Sequence, residues 1–119
     1  MTRVNAYEKL QTARSQTRPT ARSYIEKLFQ ERTELHGDRK YADDAAIIGG
    51  IGMLGDIPAT FIGIERGRNL EERIRCNFGC PMPEGYRKAL RLMRQAEKFH
   101  RPVICFVDTS CLLYTSPSP

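Results

Sequence analysis

The stretch Asn77-Phe78-Gly79-Cys80-Pro81-Met82-Pro83-Glu84-Gly85-Tyr86-Arg87-Lys88-Ala89-Leu90-Arg91-Leu92-Met93 decides how this chain folds. Its first half is broken by Gly79, Pro81 and Pro83, residues that make turns rather than continue regular structure. Its second half changes period. Tyr86, Ala89, Leu90, Met93 and Ala96 recur at three- and four-residue spacing and predict one apolar stripe on a helix over Pro83–Phe99. Arg87, Arg91, Arg94 and Lys98 fall on the other side and read as a solvated face. Pro102 stops that helix. Val103-Ile104-Cys105-Phe106-Val107 then reads as an uninterrupted apolar strand of the kind buried on both faces.

Working upstream, Ala46–Met53 reads as a buried strand whose Gly49, Gly50 and Gly52 mark a bulge or a close backbone approach. Leu54-Gly55-Asp56-Ile57 is a turn, and Ala59–Ile64 completes a β-hairpin, with Pro58 at the tolerated start of its second strand. Gly63–Gly79 is loop, or loop with a short helix over Leu70–Ile74. Near the start, Ala6, Leu10 and Ala13 predict a helix over Val4–Arg14, ended by Arg18-Pro19. Thr20 or Ser23 caps a second helix, Ser23 to Glu26 having capping-box spacing, and Tyr24, Ile25, Leu28 and Phe29 form its buried face. His36-Gly37-Asp38 is a turn that runs on as loop through Asp44. Hairpin, helix and buried strand make a β-β-α unit in an α/β (α+β layered) fold, preceded by two helices.

A chain of 119 residues with a net charge of +5 fits one domain with a moderately basic surface. No aromatic cluster or base-reading motif accompanies the charge, which makes a solvated surface the better reading than a nucleic-acid interface. Met1–Ser15 lacks the apolar core of a signal peptide, and Ala45–Leu54, the longest apolar stretch, falls well short of the ~18 residues of a membrane span. Cys76 and Cys80 have a metal-site spacing but no second Cys/His pair, so no metal site is expected. The four cysteines read as free thiols of a reduced, cytosolic protein. His36 and His100 stand apart from any nucleophile and are expected to be structural.

Further segments fall in a fixed order along the chain. They are Glu34-Leu35-His36-Gly37-Asp38-Arg39, Tyr41-Ala42-Asp43-Asp44, Ala46-Ile47-Ile48-Gly49-Gly50-Ile51, Glu71-Glu72-Arg73-Ile74-Arg75 with Asn77-Phe78-Gly79, Pro83–Met93, Ala96-Glu97-Lys98-Phe99 and Phe106-Val107-Asp108-Thr109. With these, residues 6–109 resemble the carboxyltransferase alpha subunit of bacterial-type acetyl-CoA carboxylase. The resemblance implies a crotonase/ClpP-like fold of repeated β-β-α units, here incomplete. It also implies transfer of CO2 from carboxybiotin, borne by the biotin carboxyl carrier protein, to acetyl-CoA, giving malonyl-CoA for fatty-acid synthesis in the cytoplasm. Implied partners are a homologous beta subunit in an alpha2beta2 assembly, the carrier protein and biotin carboxylase, with no nucleic acid and no membrane. Any structural zinc belongs to the beta subunit.

Such a transfer needs hydrogen-bond donors preorganised where negative charge develops. In the family one donor turn follows the strand ending at Val107-Asp108-Thr109, and another lies further on, so no catalytic residue is assigned here. Gly67, Arg68, Asn77 and Gly79 are the candidate substrate-binding residues. Arg68 and nearby backbone N–H groups would contact biotin or a CoA phosphate. The rival reading is loop-shaping, with positive φ at Gly67 and Gly79 and a carboxylate partner for Arg68. Asp108 is expected to brace the turn after its strand.

Departures from the family pattern are Glu65-Arg66 where Gln-Lys is usual, and Cys76 and Cys80 at an arginine-like and a methionine position. At Ser110 the pattern stops. Cys111–Pro119 reads as the translation of a common transposase-based sequencing adapter, against the rival of a Ser/Pro-rich disordered terminus. The expected division is therefore 1–109 as the front part of an alpha subunit and 110–119 as a non-native tail. A chain so cut should fold poorly, its last strand being an open edge. Two other classes stay open: a non-catalytic module that docks a beta subunit, and a basic nucleic-acid-binding domain.

Overall fold

The computed structural model describes residues 5–13 and 18–108. Its elements in chain order are α1 (Ala6–Ala13), α2 (Ala21–Leu28), β1 (Arg32–Leu35), β2 (Ile47–Leu54), β3 (Ile57–Ile64), α3 (Leu70–Arg75), a 3₁₀ turn (Asn77–Gly79), α4 (Pro83–Lys98) and β4 (Val103–Phe106). The strands form one mixed sheet in the order β1-β2-β3-β4, antiparallel except for the parallel pair β3–β4. The expected mixed α/β layering is present. Helix α2 covers one face and α4 the other.

The hairpin explains itself locally. Leu54 pairs with Ile57 across Gly55-Asp56, and Gly55 takes φ +62°, the left-handed conformation that tight two-residue turns require. The ladder runs without a bulge from Ile47↔Ile64 to that turn. The strand glycines therefore serve close approach instead. A Cβ on Gly49 would strike Leu92 Cδ1 of α4, and one on Gly52 would lie 2.8 Å from Phe29 Cδ1 beyond α2. At these two positions β2 presents no side chain, one on each face, so that a helix can lie close on both.

Alternation then sorts the core. Ile48, Ala59 and Phe61 face α2 and pack with Ala21, Ile25 and Phe29, the two phenyl rings 5.2 Å apart. Ile47 and Ile62 face α4 and pack with Leu92. Thr20, not Ser23, is the N-cap of α2; Ser23 sits at its third position and takes the Thr20 N–H at 3.4 Å. Of the four residues expected to be buried on α2, Ile25 and Phe29 are fully buried, while Tyr24 and Leu28 stay half exposed, Tyr24 stacking on Phe106. Ala6 and Leu10 of the apolar side expected on α1 are exposed among the described residues, and the side chain of Ala13 lies outside them.

Three further expectations need correction. β1 escaped the sequence reading because Arg32-Thr33-Glu34-Leu35 is short and has no apolar alternation. The buried side of α4 is Gly85, Lys88, Leu92 and Ala96, so the expected stripe holds only at Ala89 and Ala96. Tyr86, Leu90 and Met93 are 41–46% exposed. β4 is an edge strand, with Val103 and Cys105 exposed, and is not buried on both faces. Helix α4 ends as expected near Pro102, but by a Schellman motif. His100 adopts φ +55° and its N–H reaches Glu97 O, while the Arg101 N–H reaches Ala96 O at 2.8 Å. That gives His100 a structural place.

Gly49→Ala is expected to cost about 1–3 kcal/mol through overpacking against Leu92. Leu92→Ala should cost about 2–5 kcal/mol. The double variant should lose less than the two together, because truncating Leu92 vacates the space the new methyl needs. Urea titration of the chain at high dilution measures this; strictly additive losses would show that the two groups do not compete for that space.

Candidate functional site

The four candidate residues bracket α3. Gly67 takes φ +93°, and a Cβ there would meet the backbone of Glu72 and Arg73. Its N–H donates to Glu65 Oε2 at 2.7 Å, so only glycine lets the chain turn this tightly under α3. Arg68 pairs with Glu26 at 3.5 Å and Glu72 at 3.4 Å, its side chain 44% exposed. The Arg68 backbone N–H also donates to Glu72 Oε2, and this bond, then the guanidinium, holds the Glu72 carboxyl below its ordinary pKa. Asn69 caps α3 by accepting the Glu72 N–H at 2.9 Å.

Past α3 the backbone turns sharply. Asn77, Phe78 and Gly79 take φ of +48°, +55° and +79° in succession. Asn77 Nδ2 donates to Cys80 O at 3.0 Å, fixing the turn from inside. Phe78, a bulky residue in the left-handed region, is 53% exposed. The Gly79 Cα faces Arg66, and a Cβ there would lie 3.0 Å from Arg66 Cβ and 3.7 Å from Asp108 O. All four residues thus carry the loop-shaping roles, with Arg68 keeping an exposed guanidinium edge.

The turn that Asp108 is expected to brace lies outside the described residues. Asp108 Oδ1 accepts from Arg18 Nη2 at 2.6 Å, and its Oδ2 lies 3.7 Å from Arg66 Nε. Arg66 in turn donates to Arg18 O at 2.7 Å. Burial, then the neighbouring Arg18, presses the Arg66 pKa down, and Asp108 opposes them. This node ties the segment before α2 to the carboxyl end of β4.

The largest surprise lies on the basic side of α4. Arg87 Nε donates to Asp38 Oδ2 at 2.7 Å, and Arg91 donates to His36 O and Gly37 O. Two of the four cations expected in solvent, Arg87 and Arg91, are instead clamped on the 36–43 loop. Asp38 Oδ1 also accepts the N–H groups of Lys40, Tyr41 and Ala42, the Tyr41 bond leading the forces that lower its pKa. Lys88 is buried to 1% exposure and donates to Asp43 Oδ1 at 2.8 Å and Ile47 O at 2.7 Å. Burial works against the Asp43 charge, but Lys88 and the Gly37 N–H outweigh it and hold its pKa down to about 2. His36 Nδ1 sits 3.2 Å from the same carboxylate. No sequence expectation singled out Lys88. The available signal was three aspartates in 38–44 facing three cations four residues or fewer apart.

Beside this clamp is a cavity of about 260 Å³ walled by Arg22, Glu34, Asp43, Glu65, Glu72, Arg75, Cys76 and Lys88, among others. Its carboxylates and cations nearly balance, Arg22 being forked onto Glu34 at 3.2–3.3 Å. Burial, then Glu65, pushes the Cys76 thiol pKa up, and its Sγ donates to Ala45 O at 3.3 Å. Such a thiol is a poor nucleophile. None of the four candidate residues lines the cavity. Among the described residues no group of three or more His, Cys, Asp or Glu side chains could hold a metal ion, and no helix is long and apolar enough to cross a membrane.

Asp43 has a lowered folded-state pKa, so its contribution is present above the ordinary carboxylate range and is lost as pH falls through about 2. Asp43→Asn should flatten the fall in stability between pH about 4 and 2, read from urea midpoints against pH. Lys88→Met should cost about 1–3 kcal/mol at neutral pH, by leaving Ile47 O without its side-chain donor and Asp43 without the ammonium, although the Gly37 N–H still reaches that carboxylate. A midpoint unchanged within error would show that the ammonium is dispensable.

Comparison with known proteins bears on this geometry. A family model described as acetyl co-enzyme A carboxylase carboxyltransferase-like matches residues 1–114. An acetyl-coenzyme A carboxylase carboxyl transferase subunit alpha from Ruminiclostridium cellulolyticum is 54% identical over 107 residues, covering 90% of this chain and 41% of that protein. One from Clostridium perfringens is 60% identical over 106 residues, covering 89% and 39%. A Clostridium tetani protein named for carboxyl transferase subunits beta/alpha is 54% identical over 107 residues, covering 90% and 19%. The chain spans about two fifths of the length of the two alpha subunits. Matched by the family model along nearly its whole length, the chain belongs to the acetyl co-enzyme A carboxylase carboxyltransferase-like family.

Proposed function

We propose that this chain is the front part of a carboxyltransferase alpha subunit, which moves CO2 from carboxybiotin to acetyl-CoA and yields malonyl-CoA. The observation that carries the reading is identity of 54–60% sustained over 106–107 residues with proteins named as that subunit. In this reading the hairpin, α4 and β4 are one β-β-α unit of a crotonase/ClpP-like fold, and the chain works in the cytoplasm. Its partners are a beta subunit, the biotin carboxyl carrier protein and biotin carboxylase. The name of the Clostridium tetani relative, which joins beta and alpha, supports the first of these. Zinc, where present, sits on the beta subunit. Residues 1–109 are the family part and 110–119 a foreign tail.

Within this part, Gly67, Arg68, Asn77 and Gly79 are the residues placed nearest substrate in this reading. The physical support is Arg68, whose ion pairs at 3.4–3.5 Å are long and half exposed. Pairs of that kind contribute little and exchange readily for an anionic ligand oxygen. The glycines set the loop around it, and the donor turns that stabilise developing charge belong to sequence after Thr109.

The test grafts residues 1–108 in place of their counterpart in the Clostridium perfringens alpha subunit and assays malonyl-CoA formation with the matching beta subunit. Transfer within about tenfold of the parent is expected. A folded, beta-bound chimera without transfer would favour a docking module and overturn the catalytic reading. In the active chimera, Arg68→Ala should raise KM for the carboxybiotin donor about tenfold with little change in kcat; unchanged kinetics would remove Arg68 from the site.

A further inference from the structure

The carboxyl ends of β3 and β4 lie side by side, because Gly63 pairs with Phe106 in parallel. In open α/β sheets the space beyond such ends is where ligands bind. The chain leaving β3 there is Glu65-Arg66-Gly67, and the chain leaving β4 is Val107-Asp108. Arg66 is joined to three separate segments at this end. Its Nη2 donates to Arg18 O at 2.7 Å, and its Nε stands 3.7 Å from Asp108 Oδ2. Its Cα and Cβ lie 3.3 and 3.0 Å from where a Gly79 Cβ would be. Arg66 thus lies between two of the candidate residues, Gly67 next to it in sequence and Gly79 against it in space. The guanidinium is mostly buried, its side chain 13% exposed. The adjacent Glu65 carboxylate is turned to the backbone, accepting the N–H groups of Arg22 and Gly67 at 2.7 Å. Burial first, then the Arg18 charge, outweigh what Asp108 and Glu65 restore to the Arg66 cation. A cation under that pressure gains from an arriving anionic oxygen.

We propose that Arg66 supplies fixed positive charge to the carboxyl-transfer site and that Asp108 is the positioning residue that holds it there; this rests on the alpha-subunit reading above. The transfer develops negative charge, and a guanidinium already fixed where that charge appears stabilises it without reorganising. Asp108 suits the holding role because its two oxygens serve different segments. Oδ1 accepts from Arg18 Nη2 at 2.6 Å, while Oδ2 faces Arg66. The second pair is too long for a hydrogen bond, so Asp108 acts on Arg66 through charge. Arg18 completes the node, giving its guanidinium to Asp108 and its carbonyl to Arg66. A plain brace between the segment before α2 and β4 needs only the Arg18–Asp108 bond. The third member, Arg66, belongs instead to the loop that carries Gly67 and Arg68.

The experiment uses the complete chimeric subunit described above with its matching beta subunit. Arg66→Met is expected to lower kcat about 100-fold and Asp108→Asn about tenfold, with KM for both substrates changed less than about twofold. Asparagine keeps an oxygen for Arg18 but removes the charge that holds Arg66. Because Asp108 acts through Arg66, the double variant should be no slower than Arg66→Met alone. Arg66→Lys, which keeps the charge, should recover at least about tenfold over Arg66→Met. Additive losses in the double variant, or a lowered thermal midpoint with kcat per folded subunit intact, would make the node a structural brace. Either result, or a rise in KM alone, would overturn this proposal and leave the alpha-subunit reading standing. A chimera inactive before any substitution would bring down both.

Discussion

The ammonium of Lys88 is the constraint on which the rest of the structure leans. It is buried beneath α4 and reaches two groups from different parts of the chain, the Asp43 carboxylate and the carbonyl of Ile47. One bond fixes the loop entering β2; the other fixes the first residue of β2. Through the β2 ladder that position is passed to β1 on one side and β3 on the other. A buried cation is tolerated only with such partners. The loop thus becomes a stiff wall instead of a surface connection, reinforced from outside by Arg87 and Arg91.

The same arrangement explains why α4 carries apolar side chains around so much of its circumference. One arc, centred on Leu92, packs on Ile47 and Ile62. The next arc, Tyr86, Leu90 and Met93, is uncovered, and the far arc is the arginine clamp. A helix lying alone on a sheet needs only the first. The breadth of the apolar surface fits a helix with a neighbour on its open flank, as expected of a chain spanning two fifths of its relatives.

What the residues disclosed in advance follows from the range of the forces involved. The β2–β3 hairpin, the extent of α4 and the positive φ at Gly67 and Gly79 are set by neighbours a few positions away, and all were legible. The side of α4 that is buried was not. Spacing fits Gly85, Lys88, Leu92 and Ala96 as well as Tyr86, Leu90 and Met93, and hydrophobicity alone rejects a face containing a glycine and a lysine. β1 is held only by pairing to β2. Arg87–Asp38 and Lys88–Asp43 join residues more than forty positions apart, so nothing local marks those cations as inward. The candidate site was legible as a loop bracket around α3, while the exposed Phe78 beside it, dependent on two further left-handed residues, was not.

The parallel pairing of β4 with β3 also sets an order of assembly. Thr60 pairs with Val103 and Gly63 with Phe106, so each contact closes a loop of 43 residues, whereas the hairpin closes across two. Hairpin formation takes microseconds, and the longer closure carries an entropy cost that α4 must first offset by docking. During synthesis β3 therefore waits with one edge bare until residue 106 leaves the ribosome. In that interval it is open to pairing with another nascent chain.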